Sequence, residues 1–178
     1  MEIVNKCIRQ ILFLLTFTAF AAYGQRSAPD LPQRTVSLST VQDLDFGRII
    51  LPNNSLGGTV KIDYSGSRTL TGSLVAYPGD NYHQAILSFK LCPGRSVNVQ
   101  YSPSIHLTNG AYSMPMVIDN IQVGSTMLTS SGQSFFSNKG CDESHYLKLG
   151  TTLTVGGNYM TNPPGHYHGT FEITVAYQ

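Results

Sequence analysis

The chain has 178 residues, of which 12% are charged, with 11 basic and 10 acidic side chains. So sparse and balanced a charge excludes the basic excess that binding to nucleic acid or to an anionic membrane surface requires. Solubility rests instead on Ser, Thr, Asn, Gln and backbone groups, a surface that packs against neighbours with little charge to desolvate.

Residues 1–24 read as a cleavable export signal. Lys6 and Arg9 precede the apolar run Ile11 to Ala22, and Ala22-Tyr23-Gly24 offers small residues at the two positions a signal peptidase reads. The run is shorter than the about 20 residues of a membrane-spanning helix, so an uncleaved anchor is the weaker alternative. Cys7 lies ahead of the apolar core, badly placed for a lipoprotein signal. Cleavage before Gln25 leaves 154 residues, enough for one domain, with nine basic and nine acidic side chains. The expected location is the periplasm, the cell surface or the medium.

Cys92 and Cys141 survive cleavage, and in an oxidising compartment the default is a disulfide between them. A loop of about 50 residues would be closed, worth roughly 4 kcal/mol in the chain-entropy model. A metal pair needs further ligands at short spacing and a redox pair favours C-x-x-C. Neither pattern is present, and two free thiols are the alternative.

In chain order, residues 25–34 (QRSAPDLPQR) form a flexible leader, and a single domain is expected over residues 35–178. Val36 and Leu38 alternate with Ser37 and Ser39, and apolar content continues through Phe46 and Ile49 to a turn at Pro52-Asn53-Asn54. Val60, Ile62 and Tyr64 share one face of the next strand, and Leu70 and Leu74 follow a turn at Ser65-Gly66-Ser67. After Pro78-Gly79-Asp80-Asn81 come Ala85, Leu87 and Phe89, then Val97, Val99 and Tyr101, then Ile105 and Leu107. Met116, Ile118 and Val123 surround Asp119 and Asn120. The Ser/Gly-rich stretch from Gly124 to Gly140 is expected to be loop, attached to the core by Phe135-Phe136 and pinned by Cys141. At the C-terminal end Tyr167, Phe171, Ile173, Val175 and Tyr177 fall on one face of a strand that belongs to the core. Period-two alternation with Gly, Pro and Asn punctuation, and no helical period, predicts an all-β two-sheet sandwich. A single β-barrel is the competing architecture.

Four segments carry a family resemblance: L-D-F-G (Leu44 to Gly47), G-G-T-V (Gly57 to Val60), L-K-L-G-T-T-L-T-V (Leu147 to Val155) and G-H-Y-H-G-T-F-E-I-T-V-A-Y (Gly165 to Tyr177). In order and spacing they resemble a family of secreted bacterial proteins whose domain is catalogued without an assigned function. Its members are similar to immunoglobulin-like fimbrial subunits. The resemblance implies an immunoglobulin-like sandwich and a role in surface fibres or adhesion. The two cysteines and the Ser/Gly-rich stretch depart from the pattern. The glycines also have a physical reading: Gly47 and Gly57-Gly58 suit turns or close backbone approach, and Gly169 suits a bulge in the last strand.

No G-x-S-x-G elbow, H-E-x-x-H, phosphate loop or EF-hand loop occurs, so neither an enzyme nor a cofactor is expected. His166 and His168 would point to one side of an extended segment, and His83, His106 or His145 are candidate third metal ligands; two surface histidines are the blander reading. Tyr77, Tyr82, Tyr112 and Tyr159 lie near turns, where exposed rings stack on sugars, so an extracellular glycan-binding module is the alternative function. The preferred expectation is a non-catalytic structural subunit of a fimbria-like structure, paired with like or other fimbrial subunits through β-strands and helped by a periplasmic chaperone. Val36 and Leu38 are the candidate donor strand, with surface glycans as candidate targets. The competing assignment makes them the first strand of their own domain.

Overall fold

The computed structural model describes residues 36–52, 56–158, 160 and 162–178, and every regular element among them is a β-strand. The expected export signal (1–24) and the expected leader (25–34) lie outside the described residues.

Two long strands, β9 (Tyr112–Val123) and β12 (Ser144–Val155), run antiparallel side by side at the centre of an eight-stranded sheet. The free edge of β12 takes two strands in succession, β6 (Ile86–Lys90) along Ser144 to Lys148 and β3 (Gly58–Ile62) along Thr151 to Val155. In the same way β9 carries β10 (Thr126–Leu128) and then β8 (Ser104–Asn109). The sheet is finished by β1 (Ser39–Gln42) on β6 and β4 (Arg68–Leu70) on β3. A second sheet has the order β11 (Gln133–Phe136), β7 (Ser96–Tyr101), β13 (Ile173–Tyr177), and a two-stranded ribbon pairs β2 (Ile49–Ile50) with β5 (Val75–Ala76). The architecture is an all-β sandwich, and no sheet closes into a barrel.

Side-chain parity along the central strands explains why they are central. In β12 Leu147, Leu149, Thr151, Leu153 and Val155 are buried in unbroken alternation. In β9 the buried set is Met114, Met116 and Ile118, then Ile121 and Val123, so its phase slips by one residue at Asp119-Asn120. The register slips with it: Gly150 faces Asn120 while Thr151 faces Ile118. Without this bulge one half of the apolar set would face water. The extra residue, Asp119, accepts a 2.7 Å hydrogen bond from Thr152 Oγ1 and lies 3.7 Å from Lys61 Nζ.

The continuous inner face is covered in two parts. Toward the Ser144 end of β12 the small sheet supplies Val97, Val99, Tyr101, Phe135 and Val175 against Phe89, Ile121, Val123, Leu147 and Leu149. Toward the Val155 end, Phe46 and Leu74 from the loops cover Val60, Ile62, Met114, Met116 and Leu153. Leu44, Ile105 and Phe171 touch both clusters. A fully buried Val, Leu, Ile, Met or Phe in either cluster contributes about 1.5–3 kcal/mol.

Two expectations from sequence are corrected. The stretch Gly124 to Gly140 holds β10 and β11. Thr126 to Leu128 folds back on β9 as a hairpin, and β11 buries Phe135 while Phe136 stays 62% exposed. Polar residues hide such strands from a hydrophobic pattern, because only one face of each is buried. The C-terminal strand spans Ile173–Tyr177 and does not begin at Tyr167.

Candidate functional site

The N-terminal segment crosses from one sheet to the other. Val36 N–H donates to Val175 O of β13 at 2.8 Å, while Ser39, Thr40 and Gln42 pair with Ser88, Leu87 and Ile86 of β6. Val36 and Leu38 are half-buried against the main cluster while Ser37 and Ser39 face water, so the expected alternation is realised within the chain's own domain. The hold is light: β1 is mostly exposed, Val41 at 55%, and its ladder is irregular between Thr40 and Gln42. Among the described residues, Val36 is the one that bonds along the outer edge of β13.

The C-terminal segment crosses in the opposite sense. His168 bridges to Thr108 of β8, with reciprocal backbone bonds of 2.7 and 3.0 Å. At Gly169 a Cβ would come within 2.9 Å of His106 O, so the glycine serves close approach to β8, not a bulge in the last strand. Tyr167 is half-buried, donating its hydroxyl to Pro163 O at 2.9 Å; Phe171 and Ile173 pack on the clusters and Val175 is buried. Tyr177 corrects the expected core list. It pairs with Val97 and shares the face of Val175, but at the end of the small sheet it is 39% exposed.

The loops over the second cluster converge on an ion pair. Arg68 Nη1 lies 2.9 Å from Asp80 Oδ2, both side chains nearly buried, and also donates to Phe46 O at 2.8 Å. Burial works to raise the Asp80 carboxyl, but the Arg68 hydrogen bond, the Arg48 N–H and both guanidinium charges outweigh it and hold it below the usual carboxylate range. The Arg68 guanidinium lies 4.1 Å from the Tyr82 ring centre, and that of Arg48 lies 5.6 Å from the Tyr77 ring centre. Tyr77, Tyr82 and Tyr112 are all partly exposed, as the glycan reading requires, and Tyr159 lies outside the described residues.

Cys92 and Cys141 are joined by a disulfide. Lys90 faces Ser144 in the β6–β12 ladder, so the bond closes the open end of that strand pair. Beside it, Ser137 and His145 are buried together. Ser137 Oγ donates to Leu91 O at 2.9 Å, leaving it to accept from His145 Nε2 at 2.8 Å and from Lys139 N–H at 3.3 Å. This assigns the imidazole proton to Nε2, so His145 is a donor here and not a base for the serine. The ring stacks on Phe89 and meets Phe135 edge-on. Burial, then the Lys139 charge, pushes the His145 pKa down.

Among the described residues no three His, Cys, Asp or Glu side chains converge. His145 is locked in the core, and His83 Nδ1 sits 2.6 Å from Asp43 O. His166 and His168 are exposed. The Arg68–Asp80 and Ser137–His145 pairs were not anticipated. For His145 a signal existed, since it shares the odd phase of Leu147 and Leu149.

A family model described as Domain of unknown function (DUF4402) matches residues 36–177, and the chain belongs to that family. No curated protein and no solved structure matches.

Proposed function

We propose that this member of the family is an exported, non-catalytic structural subunit of a fimbria-like surface fibre, acting in adhesion. Subunits join by β-strand pairing, with like subunits or other fimbrial ones. The observation that supports this is the N-terminal segment itself: two apolar residues, Val36 and Leu38, lie on the main core with one backbone bond to the edge of β13. An edge strand is a template for an incoming segment. The same segment from a neighbour would fill the same two positions, and a periplasmic chaperone would shield the edge until it arrives.

The test is the exported protein made without residues 25–42. It is expected to fold, alone or with a peptide of residues 34–42 added, to fail to extend a fibre, and to cap growth when mixed with intact chains. Assembly equal to that of the intact chain would remove strand donation by this segment.

A glycan-binding module is the second reading, supported by the partly exposed Tyr77, Tyr82 and Tyr112. Binding of the monomer to a glycan array, abolished by Tyr82→Ala or Tyr112→Ala, would favour it.

A further inference from the structure

At the disulfide end the two central strands are unequal in length, and the difference leaves a notch. The Leu147–Val123 pair is the last rung between β12 and β9, after which β9 turns away at Gly124. β12 continues through Tyr146, His145 and Ser144, paired with β6 on one side only among the described residues. The depression so formed, about 180 Å³, is lined by Gln122, Gly124, Lys139, His145, Tyr146 and Lys148. That is room for about six waters at liquid density, the scale of one small ring.

The lining is chemically one-sided. Lys139 lines the notch and donates from Nζ to Ser144 O at 3.1 Å. Lys148 stands opposite Gln122 in the ladder, half-buried. The ion pairs among the described residues are Lys61–Asp119 and Arg68–Asp80, so neither notch lysine is neutralised by a carboxylate. Glu143, whose charge acts on His145, turns its carboxylate toward Gly140 and does not itself line the depression. Tyr146, 46% exposed, offers a ring, and Gln122 an amide that both donates and accepts. No aliphatic side chain lines the space to receive a peptide or lipid group.

Two ammonium groups, an amide and an exposed ring, with no aliphatic residue beside them, fit a polyhydroxylated acid. We propose that this notch binds an acidic sugar of the uronic acid class, its carboxylate held between Lys139 and Lys148 and its ring against Tyr146. The site is independent of strand donation: Gln122, His145, Tyr146 and Lys148 lie on the paired strands β9 and β12, and Lys139 lies in the loop just before the Cys92–Cys141 bond.

The test uses the folded exported chain and methyl β-D-glucuronide, with methyl β-D-glucoside as the neutral control, followed by amide NMR shifts. The glucuronide is expected to shift Gly124, Tyr146 and Lys148 saturably, with affinity falling as salt is raised. The glucoside and the Lys148→Gln variant should each bind about tenfold more weakly or less. Tyr146→Ala should weaken the glucuronide while leaving the response to acetate unchanged. The proposal is overturned if the glucuronide gives no saturable shifts, if the glucoside binds equally well, or if Lys148→Gln changes nothing. Acetate binding as tightly as the glucuronide would also overturn it, by showing a site for bare anions.

Discussion

Asp80 occupies the space that a side chain on Gly47 would need. A Cβ built on Gly47 would fall on the Asp80 carboxylate and come 2.5 Å from Arg68 Nη1, and the backbone there has φ +75°. The glycine of the L-D-F-G segment thus serves an ion pair more than twenty residues away in sequence. Asp45 fixes the same turn by accepting the Gly47 N–H at 2.8 Å.

Gly47→Ala is therefore expected to destabilise through both strained backbone and a displaced carboxylate. The left-handed conformation alone costs a non-glycine residue about 1–2 kcal/mol, and separating Asp80 from Arg68 adds to it. Urea unfolding of the variant measures the sum. A loss below about 0.5 kcal/mol, the scale of a neutral surface change, would show that the turn adapts without disturbing the pair.

His145 sets a pH dependence whose sign follows from its surroundings. Phe89, Phe135 and Ser137 enclose the ring, Lys139 opposes its protonation and Glu143 favours it, with a net lowered pKa. The unfolded chain, with its histidine near 6.5, then binds the proton more readily than the folded one. Stability from this group is complete above that value and falls as pH drops below it. The depressed carboxyls of Asp63 and Asp80 act only lower, below their ordinary 3.8. Thermal scans between pH 7 and pH 5 should show a decline that His145→Gln flattens. An unchanged slope in the variant would place the pH sensitivity elsewhere.

Much of this fold was legible in the sequence because period-two burial is local. Val60 and Ile62, and Val97, Val99 and Tyr101, lie inside as alternation predicts. Where burial is set by distant partners the pattern failed. Leu128 is buried within a run of Ser, Thr and Gly that reads as loop, where the expected attachment to the core is Phe135-Phe136. Asp119 looks like a break between strands, yet it is the bulge that lets one long strand keep both halves of its apolar set inside. Arg68 and Asp80 meet where Phe46 and Leu74 from the loops, with Ile49 of β2, cover the second cluster, a tertiary arrangement that local sequence does not encode.

Reduction of the Cys92–Cys141 bond should cost about 2–4 kcal/mol without abolishing the fold, since the β6–β12 ladder and the main cluster remain. The loss should be greatest next to the bond. Amide exchange is expected to quicken from Ser137 to Glu143, where the loop is held by Ser137 and by the Glu143 N–H to Gly140 O bond of 3.0 Å. Two alkylatable thiols in the native, unreduced protein would contradict the pairing.

The C-terminal segment supplies the sharpest comparison, because Phe171 and Tyr177 share a sequence pattern but not an environment. Phe171 sits where the chain passes from β8 to the small sheet and packs against both clusters. Tyr177 ends β13 with 39% of its surface in water. Truncating a well-buried Phe costs about 3–5 kcal/mol; Phe171 is half-buried, so Phe171→Ala should fall nearer the lower figure. Tyr177→Ala should stay within about 1 kcal/mol, because much of its ring never leaves solvent. Deleting Phe171 to Gln178 removes Val175 and the whole edge ladder of β13 as well, and should prevent folding against a total stability of about 5–15 kcal/mol. Chemical denaturation of the two alanine variants ranks them directly. If Tyr177→Ala proves as damaging as Phe171→Ala, the end of β13 is covered in solution, and its exposed face is then part of a contact with another subunit.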